Sequence, residues 1–381
     1  MNRTLDRRAR QRLDELARQQ QLRSLRVQQR RGGPVNFSAN DYLGLSRHPL
    51  LIERACDWAR EWGAGATASR LVCGTLPLHQ RIEAQLAAAK GSEAALLFNA
   101  GFQANAGVLA TLLQPELLGA HQPLVFADKL IHASMYQGLA AAGVAPIRFQ
   151  HNDCAHLRRL LEKRAGEPGQ RFILVESVYS MDGDIAPLAG LRALAAEFDC
   201  FLYADEAHAT GVLGDGGWGL CKGGDTDLLM GTFSKALGGF GAYVCCSAVL
   251  RDYLVNRCAA FIYATALPPA VLGAMDAALE LVPQLDAERA RLRRHGQRLR
   301  HRCTELGLDT AGSETQIVPI LLGDAGRTLA AAQTLLDRGL LGIAIRPPTV
   351  PPKSARIRLA LSAAHSAGEL DRLCDALAEI A

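Results

Sequence analysis

The chain has 381 residues, more than one domain usually holds, so we expect two domains and a terminal arm. Its composition, 49% hydrophobic and 21% charged, excludes a mainly disordered protein. The 42 basic and 38 acidic residues leave a net charge of +4, which does not favour a nucleic-acid-binding protein.

The cysteines and the apolar segments indicate the cellular compartment of the protein. The ten cysteines include no C-x-x-C pair, which indicates free thiols in a reducing compartment rather than disulfides or a metal site. The chain starts without the apolar segment of a secretory signal. The longest uncharged stretch, residues 94–115, is interrupted by Asn99, Gln103 and Asn105, so we interpret it as a buried strand and helix rather than a membrane span. We expect a cytoplasmic protein with no membrane partner, no nucleic-acid partner and no metal.

Residues 1–47 are predicted to form an N-terminal helical arm. The first 31 residues contain ten arginines and three acidic residues. The spacing of the leucines is roughly that of one helical face, and the break is expected at residues 30–34. These leucines are Leu5, Leu13, Leu16, Leu22 and Leu25. Either the arm is a solvated helix on the main body, or its arginines bind an anionic substrate.

Residues 48–280 are predicted to form a large domain. Apolar, β-rich segments alternate there with helical segments, a pattern typical of a mainly parallel sheet covered on both faces. The predicted strands are at residues 94–98, 124–127, 147–149, 172–176, 201–204, 228–231 and 242–246, and the helices between them include 79–89, 103–113, 134–142 and 191–198. Ligands bind at the carboxyl ends of such strands, so the residues that follow each strand are the candidates for chemistry.

Residues 281–381 are predicted to form a smaller C-terminal α/β domain. A long helical stretch at 270–306, with a break near Pro283, leads into it. Strands at 316–322, 342–346 and 356–362 and helices at 327–338 and 369–380 follow.

A lysine and a carboxylate follow two of the predicted strands. Asp205 and His208 come after the strand at 201–204, and Lys235 comes after the strand at 228–231 between hydroxyl residues and glycines. A partly desolvated lysine has a lowered pKa and forms Schiff bases. Pyridoxal 5'-phosphate (PLP) uses such a pair, the lysine for its aldehyde and the carboxylate for its ring nitrogen. The pattern predicts a PLP site, with a surface lysine as the alternative that spacing leaves open.

The motifs around these residues extend over essentially the whole chain. They read NFSANDYLGL at 36–45, DKLIHAS at 128–134, SMDGD at 180–184, DEAHATG at 205–211 and TFSKALG at 232–238. On these motifs the chain resembles the α-oxoamine synthase family of α/β, fold-type I PLP-dependent transferases. The resemblance implies a mainly parallel seven-stranded sheet in the large domain and an acyltransferase activity. Residues 345–351, IRPPTVP, are most similar to the biotin-pathway branch of the family.

The resemblance implies a role for each residue around the cofactor ring. Lys235 forms the Schiff base and moves the substrate Cα proton, while Asp205 pairs with the pyridinium nitrogen. His132 stacks on the ring, although an ordinary loop histidine is the alternative there. His208 bonds the phenolic oxygen, and Ser180 lies near that edge.

The cofactor phosphate is expected at Gly101 and Phe102, where a strand turns into a helix whose N–H groups and dipole favour an anion. Thr232 and Ser234 are expected to add hydroxyl donors. Family members also draw a phosphate contact from the partner subunit, at the segment corresponding to residues 263–265. The resemblance therefore implies a role for Thr265 and a homodimer with shared active sites.

The resemblance also implies the substrate contacts. Arg358 is expected to bind the substrate carboxylate, because a guanidinium fork matches a carboxylate bidentately. Arg356 lies two residues away on the same strand face and is its rival. Asn40 is expected to assist, and Arg23 and Arg70 are the candidates for the far carboxylate of the acyl donor or its carrier's phosphates.

The expected reaction condenses L-alanine with a pimeloyl thioester to 8-amino-7-oxononanoate, carbon dioxide and free thiol. Residues 63–79 depart from the biotin branch, notably at Arg70, so glycine or serine and another acyl thioester remain alternatives. The carrier, coenzyme A or acyl-carrier protein, is left open. A nucleotide-binding oxidoreductase is disfavoured because the glycine cluster at 238–241 lacks the G-x-G-x-x-G setting. A non-catalytic scaffold of the same fold is disfavoured by the presence of Lys235, Asp205 and His132 together.

Overall fold

The computed structural model describes residues 3–28 and 32–381. The helices are α1 (Arg3–Arg18), α2 (Pro49–Trp62), α3 (Pro77–Lys90), α4 (Gly101–Leu112), α5 (Pro115–Leu118), α6 (Ala133–Ala141), α7 (Cys154–Lys163), α8 (Leu188–Glu197), α9 (Ala248–Arg257), α10 (Ala259–Ile262), α11 (Pro269–Leu281), α12 (Asp286–Glu305), α13 (Ala325–Asp337) and α14 (Ala367–Ala376). The strands are β1 (Val35–Asn36), β2 (Ala94–Phe98), β3 (Leu124–Asp128), β4 (Ile147–Phe149), β5 (Arg171–Glu176), β6 (Cys200–Asp205), β7 (Leu228–Thr232), β8 (Ala242–Cys246), β9 (Ile317–Gly323), β10 (Leu340–Leu341), β11 (Ile343–Ile345) and β12 (Ala355–Ala360).

The chain divides into two compact units. The large unit comprises Asn40–Ser180 and Ile185–Arg291, and the small unit comprises Met1–Ala39, Met181–Asp184 and Leu292–Ala381. The predicted domain boundaries after residues 47 and 280 stay predictions. Across residues 3–28 and 32–381, no helix combines the length and the apolar character that crossing a bilayer requires.

The large unit is built on a seven-stranded sheet in the order β2-β8-β7-β6-β5-β3-β4. β8 runs antiparallel to both of its neighbours, and the other adjacent strands are parallel. Strands β2, β7 and β8 are buried along their whole length, as expected for a sheet with helices on both faces. The predicted mainly parallel seven-stranded sheet is therefore confirmed, and each predicted strand overlaps an observed one.

The order of the central strands determines where the site lies. β6 lies between β5 and β7, with Glu176 paired to Asp205 and Asp205 paired to Met230 in the register. Because parallel strands end at the same edge, the residues that follow β5, β6 and β7 meet there.

The small unit contains a three-stranded antiparallel sheet in the order β11-β12-β9 and a short parallel pair of β1 with β10. β12 is buried along its length. The three predicted C-terminal strands are all present. The predicted long helix at 270–306 is divided into α11 and α12 by a turn at Val282–Gln284, where Pro283 cannot supply the N–H that a continuous helix needs.

The arm helix is shorter than the leucine spacing predicted. α1 ends at Arg18, Gln20 has a left-handed φ of 56°, and residues 21–28 have no regular structure, so Leu22 lies outside the helix. The Arg346 guanidinium binds the carbonyls of Gln20 and Leu22, which would otherwise accept helical hydrogen bonds. The predicted break at residues 30–34 falls partly on residues 29–31, which lie outside the described residues.

Candidate active site

Lys235 lies in the turn after β7 and is half-buried. Its Nζ is 2.7 Å from His208 Nε2, and His208 Nδ1 is 2.7 Å from the Tyr42 hydroxyl. The Tyr42 hydroxyl in turn donates to Asn40 Oδ1 at 3.0 Å. We call these four residues, Lys235, His208, Tyr42 and Asn40, the lysine chain. They bring together three sequence motifs and two of the predicted ring contacts.

The hydrogen bonds of the lysine chain share one direction. Because the Tyr42 hydroxyl gives its proton to Asn40, its oxygen accepts from His208 Nδ1–H. The neutral imidazole then has its lone pair on Nε2, which accepts from the Lys235 ammonium. The lysine chain thus orients the Lys235 amine through an N–H bond to His208 Nε2.

Asp205 ends β6 and is the start of a second chain. Its Oδ1 accepts from the Ala207 N–H at 2.8 Å, and its Oδ2 accepts from Asn105 Nδ2 at 2.7 Å. Asn105 Nδ2 also lies 2.9 Å from Ser134 Oγ, which is 2.7 Å from His132 Nδ1. We call Asp205, Asn105, Ser134 and His132 the aspartate chain. All except His132 are buried, so the Asp205 carboxylate is fixed by neutral donors.

His132 is the N-cap of α6, and its Nδ1 accepts from the Ser134 backbone N–H at 3.2 Å. That bond places the ring proton on Nε2. Desolvation by the surrounding protein lowers the pKa of His132, and the nearby Lys235 charge adds to this, while Asp205 opposes it. His132 is therefore a neutral imidazole near neutral pH, exposed toward solvent and suited to face an aromatic ring.

A second carboxyl group, Glu176, adjoins Asp205 in the register of β5 and β6. Glu176 is buried, its Oε2 accepts from the Ser180 N–H at 3.2 Å, and its Oε1 has no hydrogen-bond partner among the described residues. Burial and the neighbouring Asp205 charge raise the pKa of Glu176 well above its ordinary value, with Lys235 acting in the opposite sense. Glu176 thus fixes the backbone at Ser180, the predicted ring-edge residue.

The predicted phosphate site lies at the N-terminus of α4. Ala100 is the N-cap and supplies no side-chain cap, which leaves Gly101 and Phe102 at an uncapped helix start. Across from it, Thr232 Oγ1 lies 2.8 Å from Ser234 Oγ and donates to Gly241 O at 2.8 Å. Thr232 is buried and Ser234 is exposed, so Ser234 presents the accessible hydroxyl.

The remaining predicted residues have contacts of their own. Thr265 is exposed, and its carbonyl accepts from Asn99 Nδ2 at 2.9 Å, two residues before α4. Arg70 forms a bidentate ion pair with Glu83 at 2.9 and 3.1 Å. That pair fixes the orientation of the Arg70 side chain at the start of the one-turn π-helix Arg70–Gly74.

The predicted carboxylate-binding residues belong to the small unit. Arg358 is buried on β12. Its rival Arg356 forms an ion pair with Asp182. Arg23 is exposed and donates to Thr349 Oγ1 at 2.7 Å.

Sequence reasoning missed Asn105, Tyr42 and Glu176 as parts of the site. Asn105 is 1% exposed in the middle of an apolar helix, and a buried amide in such a helix is a signal that a partner is nearby. Tyr42 lies within a recognised motif, but its partner His208 is 166 residues away in the sequence.

The residues present fit PLP. Its aldehyde matches a half-buried lysine, and its ring nitrogen matches a buried carboxylate at the end of the adjoining strand. Its phosphate matches an uncapped helix N-terminus. Both carboxyl oxygens of Asp205 accept hydrogen bonds from neutral donors, an arrangement that suits a cationic ring nitrogen.

Comparison with known proteins agrees with this geometry. The family model of aminotransferase class I and II matches residues 33–377. A putative 8-amino-7-oxononanoate synthase of Bordetella pertussis is 61% identical over 90% of this chain and 87% of its own length. Other bacterial relatives with that name are 46–61% identical.

Two solved structures extend the comparison. Serine palmitoyltransferase of S. paucimobilis, solved with bound PLP, is 28% identical with a TM-score of 0.85, over 92% of this chain and 88% of that one. The 8-amino-7-oxononanoate synthase of Francisella tularensis is 28% identical with a TM-score of 0.76, over 91% and 96%. The chain therefore belongs to the aminotransferase class I and II family and, within it, to the PLP-dependent α-oxoamine synthases that include the 8-amino-7-oxononanoate synthases.

Proposed function

We propose that this protein condenses L-alanine with a pimeloyl thioester, with loss of carbon dioxide, to give 8-amino-7-oxononanoate and free thiol. The observation that carries the proposal is the juxtaposition of the lysine chain and the aspartate chain at the ends of β6 and β7. The relatives of 46–61% identity that carry the name 8-amino-7-oxononanoate synthase support the substrate pair.

When bound, PLP supplies an aldehyde that condenses with amines and a ring that accepts electron density from the substrate's α-carbon. Lys235 would hold the aldehyde, and its Nζ would carry the proton taken from the substrate Cα. His208, 2.7 Å from Nζ, orients that amine between proton transfers. Asp205 would accept a hydrogen bond from the ring N–H and would favour its protonated form.

His132 and the helix α4 position the reactants. The His132 imidazole, whose Nδ1 accepts from the Ser134 N–H, would face the ring and present Nε2–H as a donor for the thioester carbonyl as negative charge develops on its oxygen. The N-terminus of α4 and Ser234 would hold the phosphate, and Ser180 would lie at the ring edge. Arg358 binds the substrate carboxylate, with Asn40 assisting, and Arg23 and Arg70 serve the acyl donor.

The functional unit is proposed to be a homodimer in the cytoplasm, in which Thr265 serves the partner's phosphate site. Large apolar side chains stay exposed on the large unit around this region, among them Phe102 (52%), Phe240 (51%) and Tyr263 (84%), and a second copy would cover them. The ten cysteines are unpaired, in keeping with a reducing compartment. Light scattering of the purified protein tests the dimer, and a monomer that is active at all concentrations contradicts it.

The reaction is tested with a matrix of amino acids and acyl thioesters. Purified protein loaded with PLP is mixed with L-alanine, glycine or L-serine and with pimeloyl, shorter or longer thioesters on either carrier. We expect thiol release and an 8-amino-7-oxononanoate mass only with L-alanine and pimeloyl thioester. Release with a different pair, and none with this one, rejects the substrates and retains the family chemistry.

A further inference from the structure

A fully buried ion pair lies beside the site, outside the two hydrogen-bond chains. Lys90, the last residue of α3, is 0% exposed, and its Nζ is 2.7 Å from Glu206 Oε2. The ammonium also donates to the Trp218 carbonyl and lies 3.4 Å from Thr210 Oγ1. The Tyr243 ring, with its centroid 5.9 Å from Nζ, closes the cluster. Lys90 thus has an acceptor for each of its three protons.

Both carboxylate oxygens of Glu206 also have hydrogen-bond donors. Its Oε1 accepts from the backbone N–H groups of Leu220 and Cys221 at 2.6 and 2.9 Å. The loop approaches so closely that a Cβ on Gly219, which has a φ of +92°, would lie 2.3 Å from Glu206 Oε2. Burial alone lowers the pKa of Lys90, but the attraction of Glu206 outweighs it and the net shift is upward. The attraction therefore favours the ammonium form of Lys90 beside Glu206.

Glu206 also organises the turn that carries His208. Its N–H donates to Met230 O of β7 at 2.7 Å, and its carbonyl accepts from the N–H groups of Ala209 and Thr210 at 3.0 and 2.9 Å. The turn from 205 to 210 is thus folded around Glu206, with His208 between the anchored ends. The backbone on both sides of His208 is thus bonded to the residue whose side chain Lys90 holds.

We propose that Lys90 is a positioning residue of the cofactor site, whose ammonium anchors Glu206 and thereby keeps His208 in hydrogen-bond contact with Lys235. This inference rests on the proposed function as a PLP enzyme. Lys90 touches none of the reacting atoms, and nothing in its α3 sequence, PLHQRIEAQLAAAK, distinguishes it from a solvent-facing helix-end lysine. Its burial against a residue 116 positions away is what assigns the role.

The test uses PLP-loaded protein and two readouts besides turnover, the dissociation constant of PLP and the pH midpoint of the bound cofactor's visible absorbance. Lys90→Met/Glu206→Gln removes both charges together, so neither is left buried and unpaired. We expect wild-type circular dichroism, PLP binding weakened about tenfold to a hundredfold, and a midpoint displaced by about one pH unit. Lys90→Arg, which keeps the charge, should restore both readouts toward wild type.

Arg54→Met is the control, because it breaks a partly buried ion pair of the large unit, between Arg54 and the buried Asp276 at 2.6 Å. It should lower stability and leave the midpoint unchanged. Wild-type PLP affinity and midpoint in the double variant overturn the inference, as does an equal shift in Arg54→Met. If the double variant does not fold, Lys90→Gln is judged by the same criteria. A wild-type protein that binds no PLP rejects the proposed function itself, which is a separate outcome.

Discussion

Asn105→Leu is the sharpest test of the aspartate chain. Leucine keeps nearly the same volume in α4 but removes the N–H donor that lies 2.7 Å from Asp205 Oδ2. A hydrogen bond to a charged group contributes about 1.5–3 kcal/mol. If that amount supports the carboxylate during turnover, kcat falls by about one to two orders of magnitude.

The same substitution also leaves a buried hydroxyl group without its hydrogen-bond acceptor. Tyr203 is 0% exposed and donates to Asn105 Oδ1 at 2.8 Å, so Asn105→Leu leaves a buried O–H without its acceptor. The cost to the free energy of unfolding is about 1–3 kcal/mol. Adding Tyr203→Phe removes this unpaired hydroxyl, so the double variant Asn105→Leu/Tyr203→Phe should regain stability without regaining activity.

The assay is thiol release at saturating L-alanine, with urea unfolding measured in parallel. Tyr203→Phe alone leaves the Asn105 contact to Asp205 in place, so its kcat should stay close to wild type. Wild-type kcat and PLP affinity in Asn105→Leu would refute the reasoning. Recovery of activity together with stability in the double variant would show that the loss came from the fold rather than from Asp205.

Three further predictions follow from single groups. Lys235→Ala should abolish turnover and borohydride-stable labelling while PLP still binds non-covalently, whereas Lys222→Ala, at an exposed lysine, should keep both; a label found by mass spectrometry on another lysine contradicts the assignment. Asp205→Asn should lower kcat by several orders of magnitude with unchanged circular dichroism, because an amide cannot hold the ring nitrogen protonated; near-normal turnover would assign that task elsewhere. Burial, with repulsion from Arg70, lowers the pKa of His79 to about 3 from 6.5. Only the unfolded state takes up this proton as the pH falls below 6.5, so urea unfolding at pH 5 should show about 2 kcal/mol of lost stability that His79→Asn does not show.

The sheet could be predicted from the sequence because its strands are buried on both faces. Segments such as 94–98 and 242–246 are continuous apolar runs, and their alternation with helices leaves few other arrangements. The same logic located Asp205 and Lys235, since residues at the ends of parallel strands meet at one edge. The local sequence pattern was sufficient to predict a residue's position wherever a single strand or helix determined that position.

Hydrogen-bond partners could not be predicted in this way. Asn105 meets Asp205 across 100 residues, and Tyr42 meets His208 across 166. Neither pair produces a periodic pattern in the sequence, because each contact depends on side-chain directions at the junction of two elements. The arm shows the same limit, since α1 ends where carbonyls are taken by Arg346, more than 300 residues away.

The hydrogen-bond partners of Lys235 and Asp205 suit a site that must exchange contacts during turnover. Lys235 is bonded to an imidazole and Asp205 to an amide, and both are neutral hydrogen-bonding groups. A neutral contact is weaker than a charge-assisted bond between two ions, and its loss leaves no second buried charge unpaired. The full ion pair of Lys90 with Glu206 lies one residue along from Asp205, where it holds backbone that need not move. The ion pair thus fixes the backbone beside the site, and weaker hydrogen bonds hold Lys235 and Asp205, the groups that react.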